Sequence, residues 1–195
     1  LIVFVVLMLF LGNVRASVIV ASVIPLAMLF GFILMRVFGV SANLMSLGAI
    51  DFGIVVDGSI VIVEGILAHL YAGRLNGRRL AAAEMGSEVE LGAAKVVSSS
   101  AFAVLIILIV FFPILTLTGI EGKYFTPMAE TLVFCIIGAL LLSLTYVPMM
   151  ASVFLNRHIA PKTTFADRFF GWLQGVYHRL LQMAMRHTAA TVASA

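Results

Sequence analysis

Asp51, Asp57 and Glu64 are the residues of this sequence best placed to do chemistry, because all three sit in one apolar run that holds no Lys or Arg. The run covers residues 42–70, ANLMSLGAIDFGIVVDGSIVIVEGILAHL. A carboxylate at the centre of a membrane helix costs about 2.5–3.5 kcal/mol. Three acids in one span therefore predict a role that apolar side chains cannot fill. Proton carriage fits that role, since a carboxyl that is neutral in one packing and charged in another moves a proton between them. On an ideal helix Asp57 and Glu64, seven residues apart, fall on nearly one face, about 10 Å apart along the axis. Asp51 lies about 9 Å beyond Asp57 in the other direction, turned by roughly a third of a revolution. Such separations are too long for one shared metal ion, so the acids read as a proton relay and not as a metal site. Gly48, Gly53 and Gly58 recur every five residues and predict a helix-packing surface. The acids are accordingly expected to face the interior of a bundle.

The element that positions these acids must be a membrane-crossing helix. At about 1.5 Å per residue, residues 42–70 reach roughly 40 Å, against about 30 Å of hydrocarbon. Around this helix the sequence predicts further segments. Residues 1–11 are too short to span and read as the tail of a truncated helix. Gly12-Asn13-Val14-Arg15 makes a tight polar turn, and residues 16–38 form the next span, with a kink at Pro25. A turn at residues 38–41 leads to the central helix, which Ser41 or Asn43 would cap. Residues 71–91 read as a solvated loop with a short surface helix, carrying Arg74, Arg78 and Arg79 followed by Glu84, Glu88 and Glu90. Spans are expected over 92–117 and 127–155. In the first of these, Ser98-Ser99-Ser100 offers hydroxyls for a water path, although membrane serines more often bond their own backbone. In residues 156–182 Phe165, Phe169, Trp172, Val176 and Leu180 recur at helical spacing, the pattern of an amphipathic helix lying at the membrane interface. Residues 183–195 read as the start of a truncated next helix. The first residue falls inside an apolar run, so both ends look like cuts and the chain reads as a fragment of a larger protein.

Composition supports this architecture. Of 195 residues, 63% are hydrophobic and 11% charged, and mean hydropathy is +1.17; a soluble domain is nearer 45–50% apolar and 25% charged. The expected fold is an all-α integral membrane protein, a bundle of transmembrane helices with one amphipathic interfacial helix. The net charge of +3 is modest and gives no sign of a nucleic-acid partner. Its distribution is informative. If Arg15 is cytoplasmic, alternation puts the Arg74–Arg79 cluster and Arg157, Lys162, Arg168, Arg179 and Arg186 inside as well, leaving Arg36 and Lys123 outside. Glu64 then lies toward the cytoplasm and Asp51 toward the outside. The single Cys135 excludes an internal disulfide. His69, His158, His178 and His187 lack metal-ligand spacing, and the ten methionines are scattered through apolar runs as packing residues. No nucleophile–base pair or phosphate loop is present, so neither an enzyme nor a cofactor is expected.

The string AIDFGIVVDGSIVIVEG, preceded by SANLMSLG, closely resembles the fourth transmembrane helix of resistance-nodulation-division transporters. It is most similar to their heavy-metal efflux branch of cobalt-zinc-cadmium type, whose pattern runs DFG, VDG, VEN. Asp51, Asp57 and Glu64 fall on the three acids of that pattern. FPILTLTGIEGKYFTPMA and GALLLSLTYVPMMAS resemble the family's later segments, so the likeness runs in order through most of residues 1–160. One departure is visible: Gly65 stands where the family usually has Asn, which weakens helix propensity just past Glu64.

The resemblance implies proton uptake at the paired aspartates driving export of a heavy-metal cation. It also implies a Lys partner on a helix of a second membrane half; no mid-span Lys exists here, so the relay in this chain is incomplete. It further implies a homotrimer in a bacterial inner membrane, working with a periplasmic adaptor and an outer-membrane channel. Rival readings are a multidrug exporter of the same superfamily, a proton-driven protein-translocation motor, and a non-transporting membrane scaffold. The multidrug motif usually has adjacent aspartates, whereas Gly58 follows Asp57 here.

Overall fold

The computed structural model describes residues 2–40, 52–71 and 80–155, and beyond them Tyr177 and Met185. The chain divides into two compact units, Leu1–Pro161 and Lys162–Ala195. Five helices make up the described part of the first unit: α1 (Ile2–Leu11), α2 (Val14–Phe38), α3 (Phe52–Tyr71), α4 (Ala82–Leu115) and α5 (Gly119–Phe154). No strand occurs among the described residues. The fold is all-α, and α2 to α5 are each long and apolar enough to cross a membrane. Arg74–Arg79 and the amphipathic segment 156–182 lie outside the described residues, apart from Tyr177.

Local chemistry sets the helix ends. Between α1 and α2, Gly12 takes a left-handed conformation (φ 58°) that a side chain would resist. Asn13 then caps α2, its side-chain oxygen accepting from the Arg15 and Ala16 N–H groups. Helix α2 passes through Pro25 unbroken and ends at Gly39, whose N–H returns to the Met35 carbonyl.

Two helices are longer than the apolar runs suggest. Helix α4 starts at Ala82 and runs without a break into the span, where the sequence pointed to a loop with a separate short surface helix as far as residue 91. Glu84, Glu88 and Glu90 form helix readily, and the Glu84 carboxylate accepts the Ala81 N–H at 3.2 Å. Helix α5 starts at Gly119, eight residues before the expected span, with Pro127 in its interior. In both, hydrophobicity marks how much of the helix sits in lipid, while the helix itself continues into polar sequence. At 34 residues, α4 measures roughly 50 Å and projects well beyond the hydrocarbon.

The long helices pack α2 on α5 and α3, α3 on α4 and α5, and α4 on α5, with α1 against α2. Their shared core includes Val20, Val23, Ile62, Val63, Ile66 and Val147. Glycines bring α2 and α5 close. A Cβ on Gly31 would stand 2.5 Å from the Cys135 Sγ, and one on Gly138 would stand 2.6 Å from the Phe30 ring. Ser22 and Tyr146 pair their hydroxyls at 2.9 Å across the same contact.

One end of the bundle is polar. The Arg15 guanidinium donates to the Phe154 carbonyl at 3.3 Å, a cation at the negative end of the α5 dipole. Asn13 donates to the Tyr71 hydroxyl at 3.5 Å. The α1–α2 turn and the last turns of α3 and α5 thus meet, at the end that charge asymmetry assigns to the cytoplasm.

Candidate functional site: the acidic face of α3

Helix α3 has two unlike faces. Val55, Val56, Ser59, Ile62, Val63, Ile66, Leu67 and Leu70 are buried. Gly53, Asp57, Val61, Glu64, Ala68 and Tyr71 are exposed. The exposed set repeats every three or four residues, so it is one stripe along the helix. Asp57 and Glu64 lie on this stripe two turns apart, as seven-residue spacing requires. Branched aliphatic side chains fill the space between these four helices, and the two acids lie on the opposite face of α3. Asp51 and Gly48 lie outside the described residues.

The glycine surface differs from expectation. Five residues advance an α-helix by about 140° beyond a full turn, so glycines at that spacing cannot share a face. Gly53 falls on the exposed stripe, whereas Gly58 is buried against α4 and α5. A Cβ on Gly58 would stand 3.5 Å from the Ser100 Oγ and 3.6 Å from the Ser143 Oγ. Sequence reasoning missed the closer approach at Gly65, where a Cβ would stand 2.5 Å from a Val96 methyl. Gly92 of α4 completes it from the other side, 3.0 Å from the Ile66 Cα by the same measure. The signal was present in the sequence, since Gly58 and Gly65 repeat the seven-residue spacing of Asp57 and Glu64.

Behind Asp57 the helices meet through small polar groups. Ser100 donates to the Gly58 carbonyl at 3.3 Å, and Ser143 donates to the Leu140 carbonyl at 2.8 Å. Of the three consecutive serines, Ser100 is buried against α3, while Ser98 and Ser99 are exposed. A cavity of about 10 Å³ borders Gly58, Val104 and Ser143, close to the lower limit for one water molecule. The Ser59 hydroxyl is fully buried and has no hydrogen-bond partner among the described residues.

At the end of the bundle that carries Arg15, His69 ties α3 to α4. Its Nε2 lies 2.8 Å from a Glu88 carboxylate oxygen, and its Nδ1 lies 2.9 Å from the Lys95 ammonium. An ammonium can only donate, so Nδ1 accepts, and the ring proton on Nε2 is donated to Glu88. Among the described residues no three His, Cys, Asp or Glu side chains converge as a metal site.

The described helices thus form a membrane-length bundle with two carboxylates in one stripe of α3, and comparison with known proteins gives its family. The chain belongs to the AcrB/AcrD/AcrF family, whose model matches residues 1–195. It is 45% identical over 191 residues to the cobalt-zinc-cadmium resistance protein CzcA of Cupriavidus metallidurans, covering 97% of this chain and 18% of that protein. It is 44% identical over 159 residues to the nickel-cobalt-cadmium resistance protein NccA of Alcaligenes xylosoxydans xylosoxydans, covering 81% of this chain and 15% of that protein. A crystal structure of a heavy metal efflux pump superposes with a TM-score of 0.70 at 34% identity, over 98% of this chain and 16% of the pump. The resemblance to the heavy-metal branch of resistance-nodulation-division proteins therefore stands, and the chain spans less than a fifth of the length of these relatives.

Proposed function

We propose that this chain is the proton-translocating part of a secondary antiporter that exports heavy-metal cations across a bacterial inner membrane. The observation that carries this reading is the stripe of α3 that holds Asp57 and Glu64 and turns away from the other three long helices. Two carboxyls on that face are too costly to leave against lipid alone. The stripe is therefore a surface for water or for further protein.

Asp51, Asp57 and Glu64 are the relay in this reading. A protonated stripe is close to neutral and packs against an apolar surface; an ionised stripe draws in water or a cation. Protonation thus biases which neighbour α3 packs against, and that bias is what couples proton entry to a change in bundle packing. The small hydroxyl-lined junction behind Asp57 gives α3 a neighbour it can slide on, while the His69–Glu88–Lys95 cluster holds its cytoplasmic end to α4. Metal selection belongs to regions beyond this chain. The pump is a transporter and not an enzyme, with a homotrimeric assembly, a periplasmic adaptor and an outer-membrane channel as its partners.

The test is transport by the intact protein in proteoliposomes under an imposed pH gradient, following zinc, cobalt, cadmium and copper(I). Gradient-driven flux of a divalent metal ion is the expected result. Gradient-driven movement of organic cations with no metal flux would replace this reading with a multidrug exporter.

A further inference from the structure

We propose that the groove between α4 and α5 at the cytoplasmic side is a binding site for phosphatidylethanolamine, with the lipid ammonium on Glu90 and an acyl chain running toward Ser98. The groove measures about 590 Å³ and is bordered by Glu90, Ala94 and Ser98 from α4 and by Leu144, Pro148 and Ser152 from α5. Its depth suits a lipid. The last charged residue before the unbroken apolar part of α4 is Lys95, so hydrocarbon begins near Val96. Glu90 stands six residues before Val96, about 9 Å up the axis, at headgroup level. From there the groove descends to Ser98 and Leu144, inside the hydrocarbon. Leu91 and Phe102 of α4 and Met149 in the groove wall are exposed, an apolar surface of the kind acyl chains cover.

The polar atoms of the groove choose the headgroup. Among the described residues no Lys, Arg or His lines it. The Glu90 carboxylate only accepts. Ser152 gives its proton to the Met149 carbonyl at 2.7 Å and offers lone pairs. The Leu144 carbonyl cannot accept its usual helical bond, because Pro148 has no N–H. A groove of acceptors at the end of an apolar trough calls for a cationic donor on an apolar body. The primary ammonium of phosphatidylethanolamine has three N–H bonds, while the quaternary head of phosphatidylcholine has none. The proposal is independent of which ion the protein moves.

Native mass spectrometry of the intact, detergent-extracted protein tests this, using equimolar phosphatidylethanolamine and phosphatidylcholine with the same acyl chains. The expected result is retention of phosphatidylethanolamine over phosphatidylcholine by at least about tenfold, the ratio a charge-assisted hydrogen bond supports. Glu90→Gln should erase that preference, and Glu121→Gln, an exposed carboxylate in the first turn of α5, should keep it. Ala94→Phe fills the trough without touching the charge and should remove bound lipid altogether. Equal retention of the two lipids would overturn the site. So would a preference that survives Glu90→Gln, or phosphatidylethanolamine that stays bound to the Ala94→Phe variant.

Discussion

Replacing Asp57 with Asn in the intact protein is expected to lower gradient-driven metal flux by at least about 100-fold, the scale on which positioned proton-transfer groups act. The substitution keeps size and polarity but removes the only property the relay needs, a proton that leaves and returns. Asp57 sits on the exposed stripe of α3, away from the core contacts of Ile62, Val63 and Ile66. Thermal stability in detergent should therefore stay close to that of the parent. Glu64→Gln is expected to act in the same direction with a smaller effect, because Glu64 lies nearer the interface. The pair of measurements, flux and stability, separates loss of the carrier from loss of the fold. A flux that falls only as far as stability falls would mean Asp57 is a packing residue.

Gly65→Ala is expected to lower stability by opening the α3–α4 contact. The added methyl group would stand 2.5 Å from one Val96 methyl and 2.8 Å from the other. Valine is held to few rotamers in a helix, so the strain passes to the backbone contact between α3 and α4. Overpacking of this kind costs about 1–3 kcal/mol. Val96→Ala should be mildly destabilising alone, yet it should recover most of the loss when combined with Gly65→Ala. Melting of the two single variants and the double variant measures that coupling. Strict additivity would contradict the contact.

Much of this was legible in the sequence for a physical reason. Membrane spans announce themselves by apolar length, so α2, α3, α4 and α5 each correspond to a run visible in the chain. The turns at Gly12 and Gly39 follow from residue chemistry alone. Spacing also gave the relation between Asp57 and Glu64, because a seven-residue step returns to nearly the same face of any helix.

The direction of that face was not legible. Periodicity fixes which residues share a side of a helix and says nothing of which side meets neighbours. Inward packing of α3 is decided by Gly58 and Gly65 against Ser100 and Val96, partners that lie some 30 to 40 residues away in sequence. The five-residue glycine pattern failed on geometry, since it winds around the helix. The continuity of α4 through Glu84, Glu88 and Glu90 was not legible, because hydropathy marks only the apolar span from residue 92 and helix propensity alone does not join the two. The His69–Glu88–Lys95 cluster was out of reach because it joins two helices across residues 72–81, which carry no pairing signal.

Infrared titration of the Asp57 carboxyl tests the central claim most directly, comparing the intact protein with its Asp57→Asn variant between about pH 5 and 8. A protonated-carboxyl band that rises and falls reversibly with pH in the parent and is missing from the variant is the predicted result. A carboxyl held in a single protonation state across that range would contradict the account, and Asp57 would not be the proton carrier.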